Sequence, residues 1–133
     1  MVCLGSVIDV PVEDVTHIPT EVLDALPFGV VRLSGEGTIT GYNLTESSFS
    51  GLDPRRIIGK NFFQDIAPCA SVKEFAGELA KLRSSRSDGR TEFKFVFKFL
   101  RGAMLVNIVI VYEAASDTAV ILVKPKATES NPL

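Results

Sequence analysis

A chain of 133 residues, 46% of them hydrophobic, is long enough for one folded domain and too apolar for disorder to dominate. Fourteen basic and sixteen acidic side chains leave a net charge of −2, so no basic excess exists to neutralise nucleic-acid phosphates. No apolar run reaches the ~18 residues of a membrane span, and two distant cysteines, Cys3 and Cys69, with the single histidine His17, exclude a disulfide framework and a Cys/His zinc site; a soluble cytoplasmic domain is expected.

Residues 1–20 mix Val, Pro and Asp without a period and read as an N-terminal arm; Asp9, Glu13 and Asp14 break its apolar stretch, so no signal peptide is read. Thr20 is expected to cap a short helix through Leu23 and Leu26, stopped by Pro27. Phe28–Leu33 and Thr38–Tyr42 then read as a hairpin around Ser34-Gly-Glu-Gly37. Asn43-x-x-Glu46 is a capping box that opens a helix ended by Gly51, and Asp53-Pro54 starts another turn. Ser71-Val-Lys-Glu74 reads as a second capping box, with Val72, Phe75, Ala76, Leu79 and Leu82 at helical spacing behind it. Three strands follow, at about 90–100, 104–113 and 118–124, and a polar tail or linker at 126–133 ends the chain.

Hairpin-linked strands on either side of helices imply an α+β domain over residues 21–125, with one five-stranded antiparallel sheet and helices on one face. The gap between sheet and helices is the natural pocket. The run Met104–Val111 is apolar on both faces rather than alternating. Its second face therefore needs cover from the arm, a second copy of the chain or another domain.

Few residues suggest chemistry. Cys69 stands just before the helix expected at Ser71, where the helix dipole and free amides favour a reactive thiolate. His17, the one imidazole, lies in the arm, so a cysteine-dependent acyl-transfer enzyme is poorly supported. Glu46 has a plain explanation in its capping box, Tyr42 as a strand end, and Ser50 as the last polar residue of a short helix.

Several segments together point further. Phe28-Gly-Val, Tyr42-Asn43…Glu46, Gly51-x-Asp53-Pro54 and above all Ile58-Gly-Lys-Asn-Phe-Phe-Gln-Asp-Ile-Ala-Pro-Cys69, followed by Glu74-Phe75, resemble the photoactive yellow protein family from about Leu23 to Lys124. The resemblance implies a PAS fold and a cytoplasmic blue-light receptor, not an enzyme. It implies that Cys69 carries 4-hydroxycinnamic (p-coumaric) acid as a thioester, that Tyr42 and Glu46 hydrogen-bond its phenolate, and that Ser50, usually Thr in the family, supports the tyrosine. The implied photocycle is trans-to-cis isomerisation, proton transfer from Glu46 to the phenolate, and partial unfolding of the N-terminal part. Ile58, Phe62 and Phe63 are expected as apolar walls that keep Glu46 protonated, with Pro68, Leu100 and Arg101 completing the pocket.

Two positions depart from the family. Leu52 stands where an arginine typically covers the phenolate, and Arg101 stands near where a methionine often speeds dark recovery. Arg101 is expected to replace the missing cation, while Met104 is not expected to replace the methionine. The rival to a photoreceptor is a PAS interaction or small-ligand-binding module without chromophore. A downstream signalling protein or a fused output domain is the expected partner, with a homodimer as the other use of the apolar strand; nucleic acid and membrane are not expected partners.

Overall fold

The five expected strands pair into one antiparallel sheet in the order β2-β1-β5-β4-β3. They are β1 (Gly29–Ser34), β2 (Ile39–Tyr42), β3 (Gly89–Phe99), β4 (Gly102–Glu113) and β5 (Thr118–Pro125) in a computed structural model that describes residues 19–99 and 102–125. The helices are α1 (Thr20–Asp24), α2 (Leu44–Ser50), α3 (Pro54–Ile57) and α4 (Ala76–Ser85), with a π-helical turn at Phe62–Ile66 and a 3-10 turn at Pro68–Ala70. The expected arm, apart from Pro19 and Thr20, lies outside the described residues, as do Leu100, Arg101 and the tail 126–133.

The doubly apolar strand is explained by two cores. Ile108, Ile110, Ile121 and Val123 face the main core with Phe62, Phe75 and Leu79. On the opposite face Val109, Val111, Val120 and Leu122 pack with Leu23, Leu26 and Phe28, so α1 and the residues after it give the cover that β4 requires. One short helix thus sits across the sheet from the others. Pro19, not Thr20, occupies the N-cap of α1, a position whose amide has no intrahelical partner and which therefore tolerates proline.

Two caps form as their residues dictate. Asn43 Oδ1 accepts from the Glu46 amide at 2.9 Å, and Asp53 Oδ1 accepts from the Arg55 amide at 2.9 Å. Gly51 closes α2 in the left-handed region at φ 78°, where glycine carries no steric cost.

The second expected capping box does not form. The long helix begins only at Ala76, after the backbone turns at Phe75. Burial of that ring outweighs the cap: Phe75 is fully buried, with the rings of Phe95, Phe93, Phe97 and Phe63 5.0–5.8 Å from its own. Each such edge-on pair adds roughly 0.5–1.5 kcal/mol beyond burial, comparable to a cap.

Candidate functional site

A cavity of about 490 Å³ opens between the sheet and the helices, lined by Tyr42, Glu46, Ser50, Leu52, Phe62, Ile66, Ala67, Pro68, Cys69 and Phe97. The end of β2 supplies Tyr42, and α2 supplies Glu46 and Ser50. The helix is rooted by Asn43, whose Nδ2 donates to the carbonyls of Leu23 (2.7 Å) and Phe28 (3.1 Å) while its Oδ1 also accepts from the Val30 amide (2.9 Å). Asn43 is therefore more than a helix cap: one buried amide ties α1, β1 and α2 together.

The wall carrying Cys69 is held differently. Phe62 donates its amide to Gly37 O, and the Ile39 amide donates to Lys60 O, strapping this segment to β2. Asn61 Oδ1 then caps the π-helical turn by accepting from the amides of Phe63 and Gln64, both at 3.0 Å, and Asp65 accepts from the Asn61 amide in return. The chain passes from this turn into the Pro68–Ala70 turn, which leaves Cys69 half-buried on the cavity wall.

The polar end of the cavity is unusual in charge. Glu46 is only 2% exposed, and its Oε1 is buried without a hydrogen-bond partner. The capping amide of Glu46 is used, but its side chain does not reach back to Asn43; the Asn43 amide donates to Val30 O instead. Burial pushes the Glu46 carboxyl up to about 8, against a smaller downward pull from Tyr42, so it is an uncharged acid at neutral pH. Tyr42, also buried, has its hydroxyl 2.9 Å from Ser50 Oγ. Its own ionisation is pushed well up, first by burial and then by the neighbouring Glu46 charge. Among the described residues lining the cavity none is a cation, and Leu52 stands in the wall.

The structure thus brings Tyr42, Glu46, Ser50, Phe62, Pro68 and Cys69 to one cavity. It does not bring Ile58, which is 46% exposed and stands outside it. Ile58 is the C-cap of α3, where the chain leaves the core. Phe63 is also not in this wall: it packs edge-on behind Phe62 at 5.1 Å and borders a separate groove with Arg83 and Asp117. Cys69 does not stand at a helix N-terminus, since α4 starts at Ala76. Leu100 and Arg101 fall outside the described residues. Sequence reasoning missed Phe97, Ile66 and Ala67. The alternation Phe93, Phe95, Phe97 was the available signal for the first.

The PAS fold family matches residues 19–122. The chain is 35% identical over 102 residues to the photoactive yellow protein of Rhodothalassium salexigens, covering 77% of this chain and 81% of that one. It is 38% identical over 86 residues to the photoactive yellow protein of Rhodobacter capsulatus, covering 64% and 69%. Among solved structures, the photoactive yellow protein domain of the sensor histidine kinase Ppr from Rhodospirillum centenum superposes with a TM-score of 0.75 at 33% identity, over 91% of this chain and 98% of that one.

Proposed function

The chain belongs to the photoactive yellow protein family of PAS-fold sensory domains, signalling modules rather than enzymes, and from that membership we propose that it is a blue-light receptor carrying p-coumaric acid as a thioester on Cys69. The observation that supports this reading most is the buried Glu46 carboxyl, unpartnered at Oε1, in the same cavity as the Cys69 thiol. The residues present fit the group: a thiol to hold an acyl carbon, aromatic and aliphatic walls for a ring, and two buried hydroxyl-bearing groups for a phenolic oxygen.

When bound, that group supplies a double bond that light isomerises and a phenolate that the protein must shelter. A phenol ionises near pH 10 in water, so keeping the charge in this apolar cavity needs strong donors. Glu46, uncharged because it is buried, donates through its carboxyl proton. In the structure the Tyr42 hydroxyl donates to Ser50 Oγ; with the phenolate present, Tyr42 would turn that proton to it and Ser50 would in turn donate its own hydroxyl to Tyr42.

When Glu46 gives up its proton, its carboxylate is left buried. An uncompensated buried ion costs on the order of several kcal/mol, against a net domain stability of about 5–15 kcal/mol. That is enough to open the least stable parts, for which residues 1–20 are the proposed segment. Arg101, rather than position 52, is proposed as the cation over the site.

Location in the cytoplasm and coupling to a signalling protein or fused output domain are part of the proposal. The related domain from a sensor histidine kinase supports the second. No described helix is long and apolar enough to cross a membrane.

The test is reconstitution with activated p-coumarate, read by intact mass and visible absorption for the parent and for Cys69→Ala. A mass increase and a yellow band confined to the parent support the proposal. A colourless, unmodified parent overturns it in favour of a PAS interaction or ligand-binding module.

A further inference from the structure

We propose, building on the role given to Glu46 above, that Gly29 is a positioning residue for that carboxyl: the missing side chain at position 29 is what allows the acid to lie buried against β1. Gly29 is buried as the first residue of β1, paired with Val123, on the sheet face that carries the main core. A buried, strand-paired glycine loses more chain entropy on folding than alanine would and packs no side chain. Its backbone does not require it, since Gly29 is not among the residues with positive φ.

The requirement comes from Glu46. A Cβ built on Gly29 would overlap Glu46 Oε1 and come within 3.0 Å of its Cδ and 3.1 Å of its Cβ; these are its three nearest neighbours, all from one side chain. Oε1 is the same buried oxygen that lacks a hydrogen-bond partner. The backbone and Cβ of Glu46 are held in place, because its amide is fixed to Asn43 in the first turn of α2, so the part that yields is the carboxyl end of the side chain. A methyl group at position 29 therefore displaces the carboxyl from its dry seat and moves the polar end of the cavity. Gly41 in β2 is the useful contrast: a Cβ there meets only the Arg32 side chain, 3.2 Å from its Cβ.

The experiment follows the protonated-carboxyl infrared band of the pigment-free protein across pH, assigned to Glu46 by its loss in Glu46→Gln. Gly29→Ala is expected to lower the Glu46 midpoint by about one pH unit or more, roughly a tenfold loss of proton affinity. Gly41→Ala is expected to leave it in place. A Gly29→Ala midpoint equal to the parent's, or an equal shift in Gly41→Ala, overturns the proposal. Should Gly29→Ala fail to fold, Gly29→Ala/Glu46→Ala is compared with Glu46→Ala: recovery of cooperative unfolding supports a clash with Glu46, and its absence overturns it. Because this titration needs no pigment, a parent that takes up no p-coumarate counts against the light-receptor reading alone, and the infrared midpoints still decide the role of Gly29.

Discussion

Two tyrosine–carboxyl clusters stand in the molecule and hold opposite charge states. Around Tyr42, Glu46 is buried, has no cation lining its cavity among the described residues, and is pushed up to about 8. Around Tyr112, the Asp117 side chain is 45% exposed, accepts the Tyr112 hydroxyl, and is paired with Arg83 through two contacts of 3.1 Å. The Tyr112 hydrogen bond and the Arg83 guanidinium hold the Asp117 carboxyl below its ordinary range. Residue type alone therefore does not decide ionisation; burial and the presence of a cation do. The contrast also separates a buried uncharged cluster from one that fastens surface turns, since Asp117 ties the β4–β5 connection to the β1–β2 turn through its carbonyl and the Gly35 amide.

The largest expected effect breaks this comparison by pH. In the pigment-free chain the unfolded Glu46 loses its proton near its ordinary value of 4.5, while the folded one holds it to about 8. The unfolded state releases its proton first, so the contribution of Glu46 to stability is fully present below pH 4.5 and is lost as pH rises to about 8. The slope is about 1.4 kcal/mol per pH unit, on the order of 5 kcal/mol across the interval. Urea unfolding at several pH values should show that decline in the parent and a flat profile for this step in Glu46→Gln; a flat parent would contradict the buried acid.

A smaller effect is expected from Asn43→Ala, which removes the buried anchor that the Asp117 cluster lacks. It strips partners from the amides of Val30 and Glu46 and from the carbonyls of Leu23 and Phe28. The cost should be about 2–4 kcal/mol in urea, with the Glu46 midpoint falling as α2 loosens. The smallest effect is expected from Asp117→Asn, at an exposed turn where Asn tolerates the left-handed conformation that Asp117 adopts at φ 51°. Its thermal midpoint should match the parent's within scatter, and a large loss would show that this surface cluster matters more than its exposure implies.

Much of the fold was legible because local signals agreed with burial. The cap at Asn43, the stop at Gly51, the Asp53-Pro54 start and the five strands all follow residue chemistry that the packing does not oppose. Where local and tertiary signals conflicted, the core won. Ser71 and Glu74 offered a cap, but Phe75 is buried among five other phenylalanine rings, and the helix starts after it. The π-helical turn at Phe62–Ile66 had no periodic signature to announce it; the Ala67 amide reaches back to Phe62 O and turns the Cys69 wall toward the cavity.

Of the site, Cys69, Tyr42 and Glu46 became visible together only through a family resemblance, because each has an ordinary structural explanation alone. Ile58 failed as a wall because hydrophobicity does not say which way a helix end faces. Gly29 stood only as part of Phe28-Gly-Val, and its place beside Glu46 was not legible because a residue that acts by having no side chain leaves no chemical mark.

The most direct test of the central claim, that an uncharged Glu46 is the proton source released by light, is an infrared difference spectrum of the pigment-loaded protein before and after blue illumination. The predicted result is loss of the protonated-carboxyl band of Glu46 on illumination, its return in the dark, and no such change in Glu46→Gln. A carboxyl band that persists unchanged through a complete photocycle would contradict that claim.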